Sequence, residues 1–360
     1  MIIYSCIAKL YHVSYLCKEY DKKQTSKYNK LLSVMKYRVL GKTGFKVSEV
    51  SLGTWQLGSK WGEAFDEKMA QNTLEAAYEQ GINFFDTADI YQNGMSEKSI
   101  GKFLKTKKDK IYVVTKCGRK LNPHVAESYN EENITKFVFD SIHNMEVENL
   151  DLILLHCPPT EVYHNPAVFE TLDKLKQQGA IKHYGISVER VDEALAALNY
   201  DISAIEIIFN MFRLKPAEEL FAKAKEKNTG IIVRVPLASG LLTGKYTENT
   251  SFGKDDHRSF NRNGDFFDKG ETFSGIDYLT GIKAAQELKA YLNVENLSAK
   301  ALRYILMYPE VSTVIPGASS PKQIIENAEA STLPSFSDEE MTIVREVYDK
   351  YIRKQIHNNW

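Results

Sequence analysis

From Tyr37 onward the chain alternates short, continuous apolar runs with stretches in which apolar residues recur every three or four positions. The first pattern reads as buried strand, the second as amphipathic helix. Tyr37-Arg38-Val39-Leu40 and Phe45-Lys46-Val47 flank GKTG, a glycine-bearing turn of hairpin length. SEVSLGTWQLG follows as the first buried strand, with Gly53 and Gly58 marking points of close backbone approach. A helix with Leu74, Ala77 and Tyr78 on one face then stops at Gly81, and INFFDTA is the next strand, buried from Ile82 to Phe85. A helix from about Ser96 through Ile100 and Phe103 precedes IYVVTKC, and one around Ile134, Val138 and Ile142 precedes DLILLHC, closed by Pro158-Pro159. Val168, Phe169, Leu172 and Leu175 mark a helix that ends at Gly179, before HYGISV. A helix over Val191 to Leu198 leads to AIEIIFN, and one over Pro216 to Lys227 leads to GIIVRVP.

The rhythm breaks at Thr247, where TENTSFGKDDHRSFNRNGDFFDKGETFSG is polar, rich in Gly and Asn, and without a steady period. A loop of this length inside a compact domain is functional or mobile. Helices resume at about Asp277 to Leu292 and Ser298 to Tyr308; TVIPG is the eighth strand and Pro321 to Ala330 the eighth helix. A last amphipathic helix aligns Val344, Val347, Tyr348 and Tyr351. Strands that are apolar throughout and alternate with helices imply a parallel sheet buried on both faces. The count predicts an eight-stranded (β/α)8 barrel, capped at its N-terminal end by the hairpin and followed by extra C-terminal helices. A doubly wound open sheet is the alternative, weakened by the lack of GxGxxG after the first strand.

The barrel spans residues 35–360, because residues 1–34 have another character. MIIYSCIAKLYHVSYLC is apolar and aromatic, KEYDKKQTSKYNK is lysine-rich, and neither makes the basic start and small-residue cleavage site of a signal peptide. Met35 opens a second plausible start, so residues 1–34 read as a dispensable extension. Apolar residues at 43% supply a sizeable core, and a net charge of −1 gives no support for nucleic acid or an anionic membrane as partner. No apolar run reaches the roughly 18 residues that span a bilayer. Cys6, Cys17, Cys117 and Cys157 have neither CxxC nor zinc-like spacing and read as reduced thiols, which places the chain in a reducing cytoplasm and offers no metal site.

Asp86, Lys116 and His156 end three successive strands, and Tyr91 follows Asp86 in a polar loop. In a barrel, strand ends converge on one mouth, so these four can share a site. A tyrosine with a pKa near 10 is a poor proton donor at neutral pH. An ammonium beside it stabilises the phenolate, which gives Lys116 a role and Asp86 that of its anchor. His156 can donate a hydrogen bond to a carbonyl oxygen. Such a set suits carbonyl reduction, in which an alkoxide develops and must be protonated, but the hydride must come from a cofactor. PLASGLLTGK (Pro236 to Lys245) and GASSPKQIIEN (Gly317 to Asn327), the latter opening a helix, suit the phosphates of a dinucleotide.

From Met35 to about Ala330 the chain resembles the aldo-keto reductases, NADP(H)-dependent carbonyl reductases built on this barrel. LGTWQLG, GINFFDTADIY, VVTKCG, LILLHCP, IKHYGISV, PLASGLLTGK and VIPGASSPKQIIEN carry the likeness, in family order. It implies Tyr91 as general acid, tuned by Asp86 and Lys116, with His156 orienting a small carbonyl substrate. It implies that Ser187 and Asn210 hold the nicotinamide carboxamide, and that Gly53, Thr54 and Trp55, with Asp86, border the nicotinamide. Pro236, Leu237, Ala238, Ser239 and Gly240, with Lys245, would cover the pyrophosphate; Gly317, Ser319, Gln323, Glu326 and Asn327 would hold the adenosine end. Three departures stand out. Arg234 occupies the place where many members stack an aromatic ring on the nicotinamide, a role a planar guanidinium can keep. Val188 stands where Asn is common. Gly317 and Gln323 stand where many members carry Lys and Arg, so NAD(H) joins NADP(H) as a candidate. The GASS…Q…EN pattern also resembles the potassium-channel beta subunits, so a nicotinamide-binding regulatory subunit with little turnover is the second reading.

Overall fold

Tyr37–Val39 (β1) and Lys46–Ser48 (β2) pair antiparallel as a separate two-stranded sheet, Tyr37 opposite Ser48. The computed structural model describes residues 35–59 and 61–360, so the expectation for residues 1–34 lies outside the described residues. Eight further strands form one parallel sheet in sequence order. They are Leu52–Gly53 (β3), Phe84–Asp86 (β4), Tyr112–Cys117 (β5), Leu150–His156 (β6), Ile181–Ser187 (β7), Ala204–Ile208 (β8), Gly230–Arg234 (β9) and Val311–Val314 (β10). The two edge strands also meet. Val50 bridges Val314 and Gly53 bridges Gly317, with Ser51 N donating to Val314 O at 2.8 Å and Gly53 N to Pro316 O at 3.1 Å. Eight parallel strands joined at both edges have the connectivity of a (β/α)8 barrel.

That junction requires a glycine at position 53, where a Cβ would lie 2.8 Å from Ile315 O. Gly58 sits at φ +70° with Asp66 O 2.8 Å from a would-be Cβ. Both expected close approaches exist, for different physical reasons.

Strand alternation explains why the strand sequences look uniformly apolar. Phe84, Val114, Leu152, Leu154, Ala204 and Ile232 share one buried cluster with Leu40 and Val47 of the hairpin region, so the hairpin packs against the inside of the sheet. Phe85, Val113, Ile153 and Leu155 belong to the other cluster, with Leu74, Ile134, Val138, Val168 and Leu172 of the surrounding helices. Both faces are buried, and polar residues are displaced to the strand ends.

The helices fall close to the expected positions: Glu67–Glu79, Met95–Leu104, Glu131–Met145, Pro166–Gln177 and Val191–Ala197. Asp66, Asn130 and Asn165 cap three of them by accepting backbone N–H bonds. The helix expected over 216–227 is instead two, Lys215–Glu219 and Phe221–Glu226, parted at Leu220 (φ −105°). Leu220 and Phe221 are consecutive and both buried, and the break serves both. The segment after Thr247 contains a helix, His257–Phe260, and two 3₁₀ turns, Lys269–Glu271 and Phe273–Gly275. Tyr278–Tyr291, Leu297–Ile305, Pro321–Ala328, Asp338–Tyr351 and Arg353–Ile356 complete the chain. Among the described residues no helix is long and apolar enough to cross a membrane.

Candidate active site

Counting by twos from the inward residues of each strand gives the layer at the C-terminal mouth. Two beyond Phe84 is Asp86, beyond Val114 is Lys116, and beyond Leu154 is His156; beyond Ala204 is Glu206, and beyond Ile232 is Arg234. Ser187 pairs in register with His156 and with Glu206, which puts it in the same layer. All six are buried. Tyr91 joins them from the 3₁₀ turn Tyr91–Gly94 that follows β4.

Lys116 is the hub. Its Nζ donates to Asp86 Oδ1 at 2.7 Å and Oδ2 at 2.6 Å, to Thr87 O at 3.1 Å and to Tyr91 OH at 3.4 Å. Glu206 Oε2 lies 3.4 Å from the same Nζ. Burial opposes the ammonium, but Asp86 and Glu206 hold it protonated. Burial and the charge of Glu206 push the Asp86 carboxyl up. The ring edge of His156 meets Tyr91 at 6.0 Å between centroids. His156 is held neutral by burial and by the positive charges of Arg119, Lys116 and Arg234. Its Nδ1 has no hydrogen-bond partner among the described residues.

Tyr91 departs from expectation. Lys116 does pull its pKa down, but burial, Asp86 and Glu206 push harder, and the net direction is up. The pull of the ammonium is outweighed by burial together with the two carboxylates. The phenol therefore stays protonated at neutral pH.

Aromatic rings form one wall above it. Trp55 lies 6.3 Å from Tyr91 and nearly parallel to it, 4.8 Å from Trp61 and 5.2 Å from His257, with Phe267 at 6.0 Å. Burial takes His257 down to about 4, so it is neutral there. Four charges cluster at the same mouth. Arg234 Nη2 donates to Glu189 Oε2 at 2.7 Å and to Val188 O at 3.0 Å, and its Nη1 lies 3.5 Å from Glu271 Oε1. Arg119 Nη2 pairs with Glu189 Oε1 at 3.0 Å and also with Glu271. Cys157 lies beside these carboxylates, which the two guanidiniums already occupy.

The residues expected around a cofactor fall into two groups. Gly53, Thr54 and Trp55 border Asp86: Thr54 Oγ1 donates to Asp86 O at 2.7 Å. Ser187 Oγ donates to Glu206 Oε1 at 3.3 Å, and Asn210 Nδ2 donates to Val235 O and Ser274 Oγ, both at 2.9 Å. Arg234 ends β9, and the chain turns at once through left-handed Val235, Ala238, Ser239 and Gly240. Pro236 and Leu237 lie within that turn; Lys245 is exposed beyond it. At the edge junction, exposed Gly317 precedes Ser319, whose N and Oγ both donate to Gln323 Oε1 at 2.8 and 3.1 Å. Glu326 is half-buried and Asn327 buried on the helix Pro321–Ala328.

Sequence reading missed Glu206, Arg119, Glu189 and Glu271, and assigned His257 no role. Glu206 had a signal, a lone carboxylate in the apolar run AIEIIFN. Arg119, Glu189 and Glu271 lie in three separate loops and carried none.

The aldo/keto reductase family profile matches residues 49–349. The chain is 30% identical over 313 residues to the Bacillus subtilis oxidoreductase YqkF, covering 85% of this chain and 94% of that protein. It is 30% identical over 310 residues to a putative voltage-gated potassium channel subunit beta of Schizosaccharomyces pombe, covering 82% and 87%. The solved structure of a Bacillus halodurans aldo-keto reductase in its holo form superposes with a TM-score of 0.69 at 27% identity, covering 87% of this chain and 96% of that one. The chain belongs to the aldo/keto reductase family, whose members are oxidoreductases.

Proposed function

We propose that this protein reduces an aldehyde or ketone to an alcohol with a hydride from NADP(H), and that Tyr91 is the proton donor. One observation carries the reading: a half-buried phenol 3.4 Å from a buried ammonium, with a neutral imidazole beside it. NAD(H) is the second candidate cofactor, because Gly317 and Gln323 supply no positive charge for a 2′-phosphate.

The residues present fit such a cofactor. His156 Nδ1 and Arg234 Nε are buried polar atoms without partners among the described residues, both in the inward layer. Ser187, Asn210 and the flat Arg234 guanidinium would hold the nicotinamide; the turn 236–240 and the segment 317–327 would hold the phosphates and adenosine. The nicotinamide supplies the hydride. Neutral His156 presents an N–H to the carbonyl oxygen and polarises it without ionising. Tyr91, protonated at neutral pH, releases its proton to the developing alkoxide. Lys116 stays charged throughout and stabilises the phenolate that Tyr91 leaves. The wall of Trp55, Trp61 and Phe267 suits a carbonyl compound with an apolar group.

The test is NADPH consumption over a panel of small aldehydes, wild type beside Tyr91→Phe, with nucleotide binding measured in parallel. Turnover that falls about 10²–10⁴-fold in the variant, with binding kept, supports the reading. Tight binding without turnover on any carbonyl favours instead a nicotinamide-binding regulatory subunit, which the likeness to the fission-yeast protein motivates.

A further inference from the structure

The four charges Arg119, Glu189, Arg234 and Glu271 come from different parts of the chain. Arg234 ends β9, Glu189 follows β7 by two positions, and Arg119 follows β5 by two. Glu271 arrives from the long segment after Thr247. Glu271 is buried, and although burial disfavours its charge, Arg119 and Arg234 hold it ionised. Its backbone is fastened separately: Ser239 Oγ donates to Glu271 O at 3.0 Å and accepts from Phe273 N at 3.0 Å. The loop therefore delivers one negative charge into a wall that holds two guanidiniums.

At the proposed site a reactive nicotinamide would lie near these charges, since Arg234 shares the inward layer with His156. Hydride transfer requires the ring within about 3–3.5 Å of a carbonyl carbon held by Tyr91 and His156. His156 itself sits in the field of Arg119 and Arg234. The ring is neutral when reduced and carries a positive charge when oxidised, while the rest of the dinucleotide is unchanged. A fixed charge beside the ring then discriminates between the two oxidation states, and everything else cancels in the ratio.

Resting on the proposed nicotinamide site, we infer that Glu271 sets the relative affinity for the oxidised and reduced cofactor, by offsetting Arg119 and Arg234 beside the ring.

The test is the ratio Kd(NADP+)/Kd(NADPH) by fluorescence or calorimetric titration, which needs no turnover. Glu271→Gln keeps the shape and removes the charge, and the ratio rises by about tenfold. Arg119→Gln removes a cation and moves the ratio the opposite way. This second variant carries the test should Glu271→Gln fail to fold. A ratio unmoved in Glu271→Gln, or moved in the same direction by Arg119→Gln, overturns the inference while leaving the cofactor site standing. If wild type binds only NAD(H), the same ratio is read with that pair; wild-type protein that binds neither NADP(H) nor NAD(H) overturns the cofactor site as well.

Discussion

Lys116 and Glu206 face each other across the inside of the sheet, Nζ 3.4 Å from Oε2, with both side chains almost wholly buried. Lys116 also holds Asp86 at 2.6 Å, so one ammonium serves two carboxylates. Burial, with Asp86 and Glu206 adding to it, outweighs the pull of Lys116 and leaves the tyrosine a weaker acid rather than a stronger one.

Glu206→Gln is expected to shift that balance. The Glu206 anion raises the Tyr91 pKa directly, and it also neutralises the ammonium that would lower it. Removing the charge lowers the Tyr91 pKa by on the order of one unit. The acid form is then lost at a lower pH, so the alkaline limb of kcat/KM for carbonyl reduction moves down. A limb that stays in place or moves up would show that Glu206 does not act on Tyr91.

Lys116→Met should be costly in stability. It leaves Asp86 and Glu206 buried with no cation between them, a loss of about 3–5 kcal/mol. Without the ammonium, the Asp86 carboxyl, already raised in the folded state, rises further above its unfolded value. The penalty is therefore present at neutral pH and fades as pH falls through the raised folded values. Urea titrations at pH 7.5 and pH 5 read this directly, and adding Glu206→Gln to the variant should recover part of the loss. Equal destabilisation at both pH values would point to packing rather than charge.

The main lines of the fold were legible because both faces of each strand are buried, which made the strands continuous apolar runs bounded by glycine and proline. The catalytic candidates were legible as polar residues that end such runs: Asp86, Lys116 and His156. Glu206 was equally legible in principle, since it lies two positions beyond inward-facing Ala204, the spacing that separates Lys116 from Val114. It was hidden by sitting within the run rather than at its end. Arg119 pairing with Glu271, 152 positions away, leaves no local pattern to read. The segment after Thr247 has no period because it packs through single residues, His257 and Phe267 on Trp55 and Glu271 on Arg119, rather than along one face.

Asp89 is expected to make stability fall with rising pH. It is 2% exposed, and neither carboxyl oxygen has a hydrogen-bond partner among the described residues. Burial raises its pKa to about 7, against 3.8 for an unperturbed carboxyl, and Lys120 offsets only part of this. The folded state prefers the neutral acid, so its destabilising effect is absent below pH 4, grows between pH 4 and 7, and is complete above. Asp89→Asn should leave stability near pH 4 little changed and raise it at pH 8 by about 2–4 kcal/mol. A denaturation series across that range gives the answer, and a difference independent of pH would exclude the titration of Asp89 as its source.

Trp360 should govern the loop that carries Glu271. Its ring stacks on the Arg213 guanidinium at 4.2 Å, and its Nε1 donates to Asp268 Oδ1 at 2.8 Å. It also packs against Gly275, where a Cβ would lie 2.4 Å from the ring. Arg213 in turn reaches Ser274 O at 3.4 Å, and Ser274 accepts from Asn210. Trp360 therefore ties the segment 268–275 to Arg213. Trp360→Ala removes the stack, the hydrogen bond and the packing together. Amide exchange over 268–275 should quicken, and the KM for NADPH should rise about tenfold, since the cofactor must then order that segment itself. The kcat should change little, because Tyr91, Lys116 and His156 are held by strands and the turn after β4 rather than by this loop. A loss confined to kcat, with exchange over 268–275 unchanged, would mean that Trp360 acts on the barrel and not on the loop.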